Sequence, residues 1–154
     1  MSPKLSDLMS LDNAVFRAYL FYSAVLILKM LLMAPLTARW RYAKKIFISP
    51  EDTKLAKGGK SGIQDPDIER VRRAHLNDLE NIPIFFVAAF GYLMTNPAPF
   101  IAIMLMRLFT LARIAHTIVY AVIVIPQPAR AIAWFLGYFI TIYMGVISLL
   151  TFLV

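Results

Sequence analysis

The chain has no cysteine, only two histidines, and nine acidic residues against sixteen basic ones in 154 residues. The missing cysteine excludes disulfides, thiolate metal sites and a cysteine nucleophile, so any thiol chemistry needs a thiol brought in by a ligand. His75 and His116 have no second ligand at helical spacing, which makes structural or hydrogen-bonding histidine the better reading and leaves no metal expected. The shortage of acid gives a net charge of +7. Nucleic acid is not the expected partner, because no stacking platform or groove-reading motif accompanies the charge.

What the chain has in excess is apolar sequence: 60% of residues are hydrophobic and mean hydropathy is +0.67. A soluble domain of this length is nearer half apolar. The excess lies in long runs, and about 20 apolar residues cross a hydrocarbon core. The pattern predicts an all-α integral membrane protein, one domain over residues 1–154, with four helices at about 13–37, 67–94, 99–125 and 131–154. Ten of the sixteen Lys and Arg fall between Ala38 and Arg73. The positive-inside rule then places the loop 38–66 in the cytosol and both termini on the other side of a multi-pass protein. No cleavable signal peptide is evident, and the first apolar run reads as a retained signal anchor.

Within the loop, Gly58-Gly59-Lys60-Ser61-Gly62 lacks the full phosphate-loop spacing and follows no strand, so a mobile connector is the expected reading. Lys29, inside the first apolar run, reads as a side chain snorkelling toward an interface, with a cation lining a polar cavity as the sharper alternative.

The most informative stretch is ERVRRAHLNDLEN, Glu69 to Asn81, which runs into IPIFFVAAFGYLM without a break. Ionisable groups at membrane depth are kept mainly where they pair or do chemistry. At about 100° per residue, Arg70, Arg73, Asn77, Glu80 and Asn81 form one stripe, with His75 on the far side. In the third helix Arg113, His116 and Tyr120 share a face and Arg107 points away. In the fourth, Arg130, Trp134, Tyr138 and Thr141 share a face. The three sets converge at one depth near the cytosolic boundary. Internal ion pairs such as Glu69–Arg73 account for single residues. For the set they leave four arginines (Arg70, Arg73, Arg113, Arg130) against one carboxylate, Glu80. An anionic ligand with several carboxylates or phosphates suits that surplus.

These blocks, with ISPED (Ile48 to Asp52), ARIAHTIVY (Ala112 to Tyr120) and PQPAR (Pro126 to Arg130), resemble the MAPEG family, the membrane-associated proteins in eicosanoid and glutathione metabolism. The resemblance spreads over most of the chain. It implies a homotrimer of four-helix subunits in the endoplasmic reticulum and outer mitochondrial membranes. It also implies glutathione as cosubstrate at a subunit interface open to cytosol, beside a lipid-accessible site for hydrophobic electrophiles. Carried onto matching positions, the glutathione contacts are Arg41, Arg73, Asn77, Glu80, Arg113, His116, Tyr120 and Arg130, with Arg130 holding the thiolate as the catalytic residue. The implied activity is glutathione transfer, with peroxidase action on lipid hydroperoxides. The alternatives within the family are a prostaglandin isomerase and a non-enzymatic lipid-binding helper. Ala131 and Trp134-Phe135 replace hydroxyl-bearing positions of the isomerase members and fit the transferase branch. The stretch from Tyr120 to Arg130 is one residue longer than the family pattern.

Overall fold

The computed structural model describes residues 4–153, and among them helix dominates. A single turn, α1 (Leu5–Leu8), precedes α2 (Ala14–Leu31). Asn13 caps α2: its side-chain oxygen accepts from the Val15 and Phe16 amides at 2.9 and 3.4 Å, and its Nδ2 donates to the Leu8 carbonyl at 3.1 Å, holding α1 against the start of the long helix. Such caps satisfy amides that have no intrahelical partner.

α2 stops at Leu31, and α3 (Met33–Lys44) continues after Leu32. Pro35 explains the break. It has no N–H to give, and its ring collides with the carbonyl four residues back, which belongs to Leu31. The helical run reaches Lys44 and not residue 37 as expected, because Ala38 to Lys44 contains no breaker. It ends at Lys45, whose φ of 57° is left-handed. The connector is correspondingly shorter than 38–66 and is not featureless. β1 (Ile46–Phe47) and β2 (Lys60–Ser61) pair in parallel, around a 3-10 helix at Pro50–Leu55. Gly58 and Gly62 take positive φ at the turns flanking Lys60, so the glycines serve chain reversal.

α4 (Pro66–Met94) begins where the sequence predicts. Asp65 accepts from the Asp67 and Ile68 amides at 3.0 and 3.2 Å, and Pro66 occupies the first helical position, where its missing N–H costs nothing. Lys44 bonds the Asp65 carboxylate at 2.8 Å and pairs with Asp67, joining the end of α3 to the start of α4. Pro83 does not end the helix. α5 (Pro99–Thr117) passes into one π-turn at Ile118–Val122, so helix ends three residues before the expected 125. A π-turn takes in an extra residue. α6 (Ala129–Thr151) starts two residues earlier than expected and ends before Phe152; residue 154, the expected end, lies outside the described residues.

α6 packs on both α4 and α5, and α2 on α5 and α4. Phe85 and Phe109 stack at 3.6 Å at the centre, with Leu26, Met106, Ile140 and Met144 buried around them. A second cluster at the connector end joins Met33, Val71, Ala74 and Ala121. The outward faces are equally apolar: Leu31, Leu32, Phe139 and Leu149 are all more than half exposed. Water does not tolerate so much contiguous apolar surface, and lipid does. Three helical stretches, Ala14–Lys44, Pro99–Val122 and Ala129–Thr151, are long and apolar enough to cross a membrane. The charged first half of α4 separates it from those three. The chain is a membrane protein.

Candidate functional site

Where α4, the π-turn and the start of α6 meet, a cavity of about 340 Å³ opens. Its walls are Arg73, Leu76, Asn77, Glu80, His116, Tyr120, Arg130, Ala131 and Trp134. Six of the eight candidate contacts are therefore brought together. Arg41 is not: it lines a separate cavity against the connector, with Phe47, Ile63 and Arg72. Arg113 is not on the wall either; it lies behind it, 1% exposed.

Tyr120 organises the cationic side. Its hydroxyl accepts from Arg73 Nε at 3.1 Å, while the Arg130 guanidinium lies over its ring at 4.3 Å. One phenol thus fixes two guanidinium groups, by a hydrogen bond and by a cation–π contact, and keeps its own O–H free to donate. Arg130 is the second residue of α6, so the partial positive charge of that helix end adds to its own. Arg73 is not paired with Glu69 as expected. Glu69 bonds Arg72 at 2.7 Å instead, because its i+3 neighbour lies on the outer side while Arg73 turns inward to Tyr120.

Arg113 reaches across to α4. Its Nε and Nη2 donate to Asp78 Oδ1 at 3.2 and 2.7 Å, and Nη2 also donates to Asn77 Oδ1 at 2.8 Å. The other oxygen of Asp78 pairs with the Lys29 ammonium from α2. Lys29 is 8% exposed and Asp78 0%, so Lys29 does not snorkel: it ends in a buried three-helix ion cluster. Asp78 escaped the sequence reading because it stands one residue off the polar stripe, facing the bundle interior. Its identity as partner to two cations depends on packing between positions 29, 78 and 113. Arg70 is also paired internally, with Asp67 at 2.8 Å. The cavity wall itself is left with Arg73 and Arg130 against Glu80.

Next to this polar cavity runs an apolar groove of about 470 Å³ between α4 and α6, over Ile84, Ala88, Ile142 and Gly145. The two share Asn77, Glu80 and Trp134 as a common wall. Trp134 stacks on Tyr138 at 4.7 Å, making a flat aromatic step between them. A charged, water-soluble ligand and an apolar one can therefore meet at one edge. On the far side of α5, Arg107 donates to the Tyr22 hydroxyl at 2.9 Å and takes no part.

Comparison with known proteins identifies the family. The model of the MAPEG family matches residues 19–150. Microsomal glutathione S-transferase 1 of Homo sapiens is 43% identical over 139 residues, covering 88% of this chain and 89% of that protein. The protein of the same name from Bos taurus is 44% identical over 145 residues, 92% of each. Prostaglandin E synthase of Bos taurus is 38% identical over 132 residues, 86% of each. With the family match spanning most of its length, the chain belongs to the MAPEG family.

Proposed function

We propose that this protein is a membrane-bound glutathione transferase that joins glutathione to hydrophobic electrophiles and reduces lipid hydroperoxides. The observation that carries this reading is the shared wall between an arginine-bearing polar cavity and an apolar groove. Glutathione has two carboxylates and one ammonium, and the cavity offers Arg73 for a carboxylate, Glu80 for the ammonium, and Asn77, His116 and Tyr120 as neutral hydrogen-bond partners. The apolar groove admits a substrate that has partitioned into lipid. The similarity to microsomal glutathione S-transferase 1 supports the same reading. Ala131 on the cavity wall carries no hydroxyl, which favours transfer over prostaglandin isomerisation.

A free thiol has a pKa near 8.5 and is only a few per cent ionised at neutral pH. Lowering it by about two units requires about 2.7 kcal/mol of preferential thiolate stabilisation. We assign most of that to Arg130, and its position over Tyr120 at a helix N-terminus supports the assignment. The thiol proton leaves to water as the thiolate forms. Attack on an electrophilic carbon forms the C–S bond and expels the leaving group with its electron pair. With a hydroperoxide, the thiolate sulfur takes the terminal oxygen and the alcohol leaves. A second glutathione then yields glutathione disulfide and water.

Arg41 belongs to this site only if a neighbouring subunit delivers it. We therefore place the site at the interface of a homotrimer, with the connector in the cytosol and the protein in the endoplasmic reticulum membrane. The test is calorimetry with glutathione and a conjugation assay with a halodinitrobenzene on detergent-purified protein. Millimolar or tighter binding and thiol-dependent turnover are expected. Absence of both removes the reading, and with it the lipid-binding helper becomes the better account.

A further inference from the structure

The ion cluster behind the cavity has a role that its burial makes specific. Asp78 neutralises one of its two cations and leaves the other, so Lys29, Asp78 and Arg113 together hold one net positive charge. All three are at least nine-tenths buried. An arrangement of this kind is a poor source of stability, since well-packed apolar residues do as well or better. Its geometry gives it a different use. A guanidinium only donates. Asn77 must therefore turn Oδ1 toward Arg113 Nη2, which fixes its amide nitrogen as the donor left for the cavity it lines. Both Nη2 hydrogens are then committed, to Asp78 Oδ1 and Asn77 Oδ1, so the 3.5 Å approach of His116 Nδ1 is a contact and sets no tautomer.

We infer that Asp78 is a positioning residue: held between Lys29 and Arg113, it locks the guanidinium that orients Asn77 toward an anionic ligand, while the cluster's surplus charge makes the cavity more favourable to a thiolate. The orienting half stands on geometry alone; the thiolate half rests on the proposed glutathione chemistry.

Two variants separate the halves. Lys29→Met keeps the Asp78–Arg113 clamp and removes the surplus charge. The double variant Lys29→Met/Asp78→Asn keeps a neutral acceptor for Arg113 and the cluster's single positive charge but loosens the grip; it strands one buried cation where Asp78→Asn alone would strand two. The ligand-free readout is NMR of the Asn77 side-chain amide in ¹⁵N-asparagine-labelled protein in nanodiscs, assigned by its loss in Asn77→Asp. That amide is expected to be a single rigid resonance in the wild type and in Lys29→Met, and mobile in the double variant. The liganded readout is calorimetry together with the ultraviolet absorbance of bound thiolate across pH. The double variant is expected to bind glutathione about tenfold more weakly, the loss of roughly one well-made charged hydrogen bond. Lys29→Met is expected to bind normally yet ionise the thiol at higher pH, with about twofold less thiolate at neutral pH. An Asn77 amide equally rigid in all three folded proteins overturns the inference. If the amide responds as expected while the wild type binds no glutathione, the positioning stands and the proposed function fails.

Discussion

Replacing Arg130 by alanine removes the guanidinium that lies over Tyr120 at the α6 N-terminus and leaves that helix end, Arg73 on the same tyrosine and the buried cluster as the remaining local positive charge. In the limit where Arg130 supplies all of the roughly 2.7 kcal/mol needed for a two-unit shift, the bound thiol returns from a pKa near 6.5 to near 8.5. The ionised fraction at pH 7 then falls about 25-fold. Turnover falls by less. A more basic thiolate is a better nucleophile, with a Brønsted slope of about 0.4–0.5, which returns about eightfold. The loss of activity is therefore expected to depend on pH: about threefold at neutral pH, gone by about pH 7.6, with the variant several-fold faster than the wild type above about pH 9. Glutathione affinity should hold within a few-fold, because the carboxylates and ammonium keep Arg73 and Glu80. The assay is halodinitrobenzene conjugation from pH 6 to 9.5, paired with thiolate absorbance of the bound cosubstrate. A variant whose pH profile parallels the wild type with the same midpoint refutes thiolate stabilisation by Arg130, whatever its absolute rate.

Gly145→Leu should fill the apolar groove from its side, since a Cβ there meets nothing within 4 Å. Long-chain hydroperoxides are expected to lose about tenfold in kcat/KM while a small aromatic halide is little affected, and equal losses on both would detach the groove from substrate binding. Asn13→Ala removes the α2 cap and should cost about 1 kcal/mol, visible as a lower Tm in detergent with glutathione affinity intact; an unchanged Tm would show that lipid or detergent replaces the cap. Asp65 is held below the usual carboxylate range, first by its hydrogen bond to Lys44 and then by the Ile68 and Asp67 amides. A depressed folded-state pKa stabilises above the unfolded value near 3.9 and loses that contribution as pH falls further. The α3–α4 tie should therefore open to acid protease below about pH 4 and stay closed at pH 6, and Lys44→Met should abolish the difference.

The local signals were legible and the long-range ones were not. Asp65-Pro66-Asp67 marks the start of α4 because a cap and a proline act within one turn. The polar stripe Arg73–Asn77–Glu80 is legible because helical periodicity places it on one face, and the structure brings it to the face shared by His116, Tyr120 and Arg130. Residues 38–44 looked like loop because they are basic and aromatic, yet charge does not end a helix; a left-handed residue does, and Lys45 carries no sequence mark of that conformation. The division of α2 from α3 was readable in principle from Pro35. The ion cluster was not. Lys29, Asp78 and Arg113 are 49 and 35 residues apart, and only the packing of α2 and α5 against α4 makes them neighbours. Counting charges by face therefore overstated the surplus, since Arg70 and Arg113 already have carboxylates.

The corrected count changes which charge does what. Two arginines and one glutamate on the wall leave a single positive charge, and the buried cluster behind it adds another, with histidine neutral. Glutathione with its thiol protonated carries one net negative charge, and with the thiol ionised it carries two. The wall alone balances the first form; wall and cluster together balance the second. In a medium of low dielectric constant that difference is felt across the thickness of a side chain. An unneutralised cation inside the bundle is costly without an anion, and a thiolate beside an apolar groove is costly without a cation. On the proposed glutathione chemistry each relieves the other only when the cosubstrate is bound and ionised, so the same charge that weakens the empty fold would favour the reactive state of its ligand.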